Sequence, residues 1–290
     1  MKNAEKWRSR PLLVQFSRAE GEMVIRVLFI GDIVGSAGRK ALKSTLAGLK
    51  HKYNPSVIVA NGENAAGGRG LTARIANEFF EWGVHGITMG NHTWDNKEVF
   101  DFIDRDERIV RPANFPAGTP GRGYAFVRGG AKGPELLIIN IQGRTFLPPL
   151  DCPFQTIDDI LEKTKNKAKY ILVDFHAEAT SEKVAMGWHL DGKVSAIVGT
   201  HTHVQTNDDR ILPNGTAYIT DVGMVGSMEG VLGMEREAVV RKFRTQLPVR
   251  FAADEGKWQF NAVVIDLDDE TGRATAIEKV RLSETDAIWE

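Results

Sequence analysis

From Met23 onward the chain moves repeatedly between two rhythms of apolar residues. Short runs rich in β-branched side chains, such as Val24-Ile25-Arg26-Val27-Leu28-Phe29-Ile30, have the length and composition of strands. Amphipathic segments with the 3.6-residue period of helices lie between them. The alternation predicts strands over 24–30, 56–60, 86–89, 170–175 and 194–198. It predicts helices over 37–50, 72–82, 157–165, 181–189 and 235–246, with Ser36 standing where an N-cap belongs and Thr72 opening the second. Glycine-rich or Pro-Asn-Gly turns predict three hairpins, 124–128 with 135–141, 210–212 with 216–220, and 258–267 with 274–282. Strand–helix–strand units call for a mostly parallel core, and the hairpins add antiparallel strands. The expected fold class is therefore α/β, a two-sheet sandwich of mixed strands flanked by helices.

No linker, repeat or low-complexity segment interrupts this pattern, so residues 23–290 read as one domain. Residues 1–22 stand apart. They carry scattered basic residues and an apolar patch, Pro11 to Phe16, too short for a signal-peptide core. They read as a loosely ordered extension, or as upstream sequence included by a misassigned start. A formal net charge of -1 gives no reason to expect a long nucleic acid or an anionic membrane as partner. The single cysteine, Cys152, cannot form an internal disulfide, which fits the reducing cytoplasm. Whether the chain forms a homo-oligomer is left open.

The chemistry gathers where the predicted strands end. Those ends present Asp32, then Glu63 with Asn64, Asn91 with His92, His176, and finally His201 with His203. Functional groups in open α/β sheets collect just beyond the carboxyl ends of the strands. An extended backbone through Thr200 to His203 would point His201 and His203 the same way. Taken singly, each residue has an ordinary explanation: Asp32 as a cap, Asn91 as a turn former, His92 or His176 as a satisfied buried histidine. The other histidines, His51, His85 and His189, sit near helix ends or before a strand and read as structural. Together, the strand-end groups would leave charges and lone pairs uncompensated without a cation. The donors are oxygen and nitrogen with no thiolate, which suits Fe, Mn, Zn or Co. They are too many for one tetrahedral site; two metals about 3.5–4 Å apart, bridged by a carboxylate, would use them all.

Gly31-Asp32, Gly62-Glu63-Asn64, Gly90-Asn91-His92 and Gly199-Thr200-His201-Thr202-His203 resemble, in order and placement, the motifs of calcineurin-like dinuclear metallophosphoesterases. Two departures from that superfamily occur. The usual Asp-x-His is Asp32-Ile33-Val34, and the usual bridging aspartate is Glu63 followed by Asn64. With these departures the chain is similar to the YmdB-type 2′,3′-cyclic-nucleotide phosphodiesterases. The similar strings include Gly31-Asp32-Ile33-Val34-Gly35, Asn61-Gly62-Glu63-Asn64-Ala65-Ala66, Met89 to Asp95, Arg111 to Pro116, Asp174 to Lys183 and Gly199 to Gln205.

The resemblance implies two metal ions per chain, Fe and/or Mn, with Zn, Co or Mg as alternatives. Glu63 would bridge; Asp32, Asn64 and His203 would complete one site, and Asn91, His176 and His201 the other. His92 would steady the phosphoryl group and protonate the leaving oxygen. The implied reaction is attack of metal-bound hydroxide on a small cyclic nucleotide, 2′,3′-cyclic to 3′-monophosphate, with 3′,5′-cyclic nucleotides as further substrates. Arg69, Arg111, Asn114 and Arg144 lie in loops where substrate contacts are expected. Two rivals use the same residues: a phosphomonoesterase (nucleotidase or protein phosphatase), and a metal-binding regulatory protein with incidental turnover.

Overall fold

Successive residues of the first strand, β1 (Val24–Ile30), pack into different cores, Val27 and Phe29 into one and Leu28 and Ile30 into another. A strand buried on both faces reads as a continuous apolar run for this reason. The computed structural model describes residues 24–131 and 133–285. After β1 come β2 (Asp32–Ile33), α1 (Gly35–Tyr53), β3 (Val57–Asn61), α2 (Ala73–Trp82), β4 (Gly86–Thr88), β5 (Ile109–Val110), β6 (Tyr124–Arg128) and β7 (Glu135–Gln142). The second half holds α3 (Pro153–Lys163), β8 (Tyr170–His176), α4 (Thr180–Leu190), β9 (Ala196–Thr200), β10 (Arg210–Ile211), β11 (Ala217–Ile219) and β12 (Met224–Ser227). Helix α5 (Arg236–Thr245), β13 (Trp258–Asp268) and β14 (Ala274–Ser283) complete it.

The strands form two mixed sheets. One runs β2-β12-β13-β1-β3-β4-β5, with β14 also on β13; the other runs β10-β11-β9-β8-β7-β6. Val27, Phe29, Val57 and Val59 of the first sheet meet Leu136, Ile138, Leu172 and Val198 of the second between the layers. Helices α1 and α2 cover the outer face of the first sheet through Leu42, Leu46, Leu49, Ile75 and Phe79. Helices α3 and α4 cover the second through Ile157, Ile160, Met186 and Leu190. Each such side chain contributes about 1.5–3 kcal/mol when fully buried, so the four layers hold one another in place. The mixed α/β sandwich expected from the periodicity is the architecture observed. Among the described residues, no helix is long and apolar enough to cross a membrane.

Local differences have physical causes. Helix α1 begins at Gly35 with Val34 as N-cap and no side-chain cap bond, and the Ser36 hydroxyl donates instead to Glu255. Thr72 does cap α2, accepting from the Ile75 N–H. Helix α3 starts four residues before the expected Ile157, because Pro153 suits the first turn of a helix. Strand β9 reaches Thr200, two residues beyond the expected end, because Phe175 and His176 of β8 pair with Gly199 and Thr200. Gly199 is therefore inside the strand. A Cβ there would lie 1.8 Å from the Thr220 carbonyl oxygen, so the glycine permits a close backbone approach. The reading of residues 1–22 lies outside the described residues.

Candidate metal centre

Both sheets aim their polar strand ends at one point. From the first sheet come Asp32 in β2, Glu63 and Asn64 after β3, and Asn91 after β4; from the second come His176 at the end of β8 and His201 and His203 after β9. His176 Nε2 lies 2.9 Å from Asn91 Oδ1, 3.0 Å from Glu63 Oε1 and 3.1 Å from His201 Nδ1. Asp32 Oδ1 lies 3.9 Å from His203 Nε2 and 4.0 Å from His176 Nδ1. Gly90 makes the convergence possible: a Cβ there would sit 2.3 Å from Glu63 Oε2 and 2.4 Å from His176 Nε2.

Partners around the cluster set which nitrogen of each histidine faces it. Thr200 Oγ1 donates to Asp174 Oδ1 at 2.6 Å, so it accepts from His176 Nδ1–H at 2.8 Å and leaves the Nε2 lone pair facing Glu63 and Asn91. Asp174 is itself held by Asn61 Nδ2 and the Thr88 hydroxyl. The His203 Nδ1–H donates to the Leu232 carbonyl at 3.0 Å, which leaves Nε2 toward Asp32. Glu178 Oε2, 3.1 Å from His201 Nε2, takes that proton and leaves Nδ1 inward. His201 and His203 do not project from an extended strand, as the alternation suggested. Their φ values are +97° and +66°, so two left-handed residues turn the loop and bring both rings inward.

The electrostatics follow from this crowding. Burial pushes Asp32 up to about 6, against the pull of His203 and His176. Burial also acts to raise Glu63, but the facing His176 overrides it and holds the carboxyl below its ordinary value. His176 is driven up by Glu63, Asp32 and Asp174 despite its own burial. Burial, with His176 adding to it, lowers His201 to about 3. A positive charge at the focus would favour the ionised Asp32 and Glu63 carboxyls. Glu63 Oε1, Asp32 Oδ1 and Asn64 Oδ1 are buried and have no hydrogen-bond partner of acceptable geometry, the 3.0 Å approach of His176 to Glu63 included. Asn64 gives its Nδ2 to the Gly68 carbonyl, so its oxygen is the atom left over. Glu63, His176 and His201 offer ligand atoms within 4.8 Å of one another. Four oxygen and three nitrogen donors with unspent lone pairs fit divalent cations.

His92 sits beside this focus. Its backbone N–H donates to Glu63 Oε2 at 2.9 Å, and its ring Nδ1 lies 2.9 Å from Asp95 Oδ2, leaving Nε2 free. Arg69 reaches within 3.9 Å of the same carboxylate and is otherwise exposed. Arg144 is anchored by its backbone N–H to Glu182, with an exposed side chain. Arg111 and Asn114, expected among the substrate contacts, bond to backbone groups of the surrounding loops. The buried Arg111 guanidinium donates to the carbonyls of Pro112, Thr119, Pro120 and Gly121. Asn114 bridges the backbone of Gln142 and Asp151. Both are spent on loop structure, because carbonyls with no ladder partner need donors.

One supporting pair escaped the sequence reading. Lys183 Nζ in α4 donates to Asp221 Oδ2 at 2.6 Å and to the Thr200 carbonyl at 2.8 Å. Asp221 Oδ2 also accepts the Thr202 N–H, so the pair grips the chain on both sides of His201. A lysine on the inward face of an amphipathic helix was the available signal.

A family model described as YmdB-like protein matches residues 28–280. The chain is 56% identical over 266 residues, 92% of its length and 100% of the relative's, to a Bacillus subtilis (strain 168) protein named 2′,3′-cyclic-nucleotide 2′-phosphodiesterase. A solved structure described as a novel phosphatase from Mycoplasma pneumoniae superposes with TM-score 0.84 at 35% identity, covering 90% of this chain and 94% of that one. A 5′-nucleotidase from Candida albicans SC5314 superposes with TM-score 0.54 at 11% identity, covering 89% of this chain and 51% of that one, a likeness of fold alone.

Proposed function

The chain belongs to the YmdB-like protein family, and from that premise we propose that it is a metal-dependent phosphodiesterase that opens 2′,3′-cyclic nucleotides to 3′-monophosphates. The observation that carries this reading is the set of three unpartnered buried oxygens, on Asp32, Glu63 and Asn64, facing three imidazoles. The name of the Bacillus subtilis relative supplies the substrate class. Asp32, Asn64 and His203 would hold one cation and Asn91, His176 and His201 a second, with Glu63 available to both. The mixed oxygen–nitrogen donor set suits Fe or Mn, and the lone Cys152 fits a cytoplasmic enzyme. Small 3′,5′-cyclic nucleotides are further substrates of the same site.

Two cations in such a site supply an activated water nucleophile and neutralise charge on the phosphoryl oxygens. The residues do the rest. Gly90 lets Glu63 and His176 close on the focus, and the backbone N–H of His92, donating to Glu63, keeps that residue beside it. Asp95 accepts from His92 Nδ1–H and so favours the ring protonated at both nitrogens, whose Nε2–H is the proton for the leaving oxygen. A water oxygen bonds to phosphorus and gives up a proton to solvent as the P–O2′ bond breaks, O2′ takes the His92 proton, solvent returns a proton to His92, and the product is the 3′-monophosphate. General acid catalysis of this kind contributes about 10²–10⁴-fold in rate.

The test is hydrolysis of 2′,3′-cyclic AMP by protein of measured metal content, with Glu63→Gln in parallel and the product identified. Formation of 3′-AMP that follows metal content and is lost in the variant is expected. Turnover of phosphomonoesters with none of the cyclic diester would replace this reading with the monoesterase one.

A further inference from the structure

A cavity of about 190 Å³ opens directly beside His203. Its floor is the end of β13 and β14 nearest the metal centre, where Asn261 and Arg281 pair across the strands and Gln259 lies two residues away on the same face. The same face of β13 continues inward as Val263, Ile265 and Leu267, which belong to the core between the sheets. The polar trio therefore replaces apolar residues just where the sandwich opens. Asn261 is 3% exposed, and its Oδ1 has no hydrogen-bond partner. Among the described residues, the Gln259 amide and the Arg281 guanidinium also have none. Met228 and Leu232 form an apolar wall, both large side chains left half exposed. Leu232 is the residue whose carbonyl orients His203, so the wall and the metal-facing imidazole are tied to one loop.

We propose that this cavity is the nucleobase subsite of the substrate, an inference that rests on the phosphodiesterase reading of the adjoining centre. The volume is equivalent to about six waters at 30 Å³ each, room for one planar ring system and below the roughly 300 Å³ at which whole-ligand pockets begin. Asn261 gives its Nδ2 to the Met224 carbonyl and keeps its Oδ1 as an acceptor; with the Gln259 amide and the Arg281 guanidinium it matches the mixed donors and acceptors on the edge of a base, the pairing such side chains make with bases elsewhere. The apolar wall covers the ring face. With the phosphoryl group at the focus beyond His203, the ribose spans the step between them.

The test compares equilibrium binding of 3′-AMP with that of methyl ribofuranoside 3-phosphate, which lacks the base, by calorimetry on the metal-loaded protein. The wild type should prefer 3′-AMP by about 10-fold or more, the equivalent of one well-made base contact. Gln259→Leu/Arg281→Leu should reduce that preference below about 3-fold, and the exposed Arg281→Leu alone should reduce it in part. No preference in the wild type would overturn the subsite, and so would a preference unchanged in both variants. A preference that collapses in the variants, in a wild type that hydrolyses no cyclic diester, would refute the phosphodiesterase reading while the base subsite stands.

Discussion

Lys183→Met isolates what the buried ion pair contributes to the loop that carries two of the imidazoles. Lys183 is 1% exposed and Asp221 0%, their charged atoms are 2.6 Å apart, and the ammonium also serves the Thr200 carbonyl. Methionine nearly preserves the volume, so little of the effect comes from packing. Removing the ammonium leaves the Asp221 carboxylate buried with only the Thr202 and Gly223 N–H groups to answer its charge. An uncompensated buried charge of this kind costs about 3–5 kcal/mol. Against a total stability of about 5–15 kcal/mol that is a large share, and it corresponds to a fall of roughly 1 M or more in the urea midpoint. Adding Asp221→Asn removes the charge while keeping an oxygen acceptor for one of those two N–H groups, and should restore at least about 1 kcal/mol. The assay is urea unfolding at pH 7 of the two variants and the wild type in chelator. A loss below about 1 kcal/mol for Lys183→Met, or a double variant no more stable than the single one, would refute the reasoning. It would mean that the pair is not electrostatically coupled to the fold.

Two further outcomes follow from the same geometry. Gly90→Ala drives a methyl against Glu63 and His176, so bound metal per folded chain should fall, with activity down about 10–100-fold as for other disturbed ligand shells; metal analysis and kinetics read both. Asp208 lies below its ordinary value of 3.8: burial alone would raise it, but hydrogen bonds from the Thr220 and Thr206 hydroxyls and the Thr220 N–H lower it further. A depressed carboxyl stabilises the fold above its unfolded pKa and loses that contribution as pH falls through its folded one. Asp208→Asn should therefore be less stable than wild type at pH 7, and the gap between their urea midpoints should close below about pH 4.

The sheet strands and the ligand-bearing ends were legible because periodicity and residue type are local. Glu63, Asn91, His176 and His201 could be named from the sequence because each lies within three residues after an apolar run. Their hydrogen-bond partners could not. Asp174 lies inside a strand that reads as core, and its tie to Thr200 depends on β8 pairing with β9, a contact between segments 26 residues apart. Arg111 looked like a substrate arginine because it sits in a loop. Its four carbonyl partners come from a fold of that loop which no period announces. The short strand β12 was missed because Met224-Val225-Gly226-Ser227 has too few residues to show any rhythm.

The seven donors are divided between the two sheets, four on one and three on the other. A cation held there acts as a rivet through the open end of the sandwich, where the apolar interlayer gives out. Metal supply then becomes a thermodynamic variable of the whole molecule. A free ion at 100 times its dissociation constant adds about 2.7 kcal/mol to the folded state. An organism that starves such a chain of metal would weaken the sandwich before it lost anything to mutation.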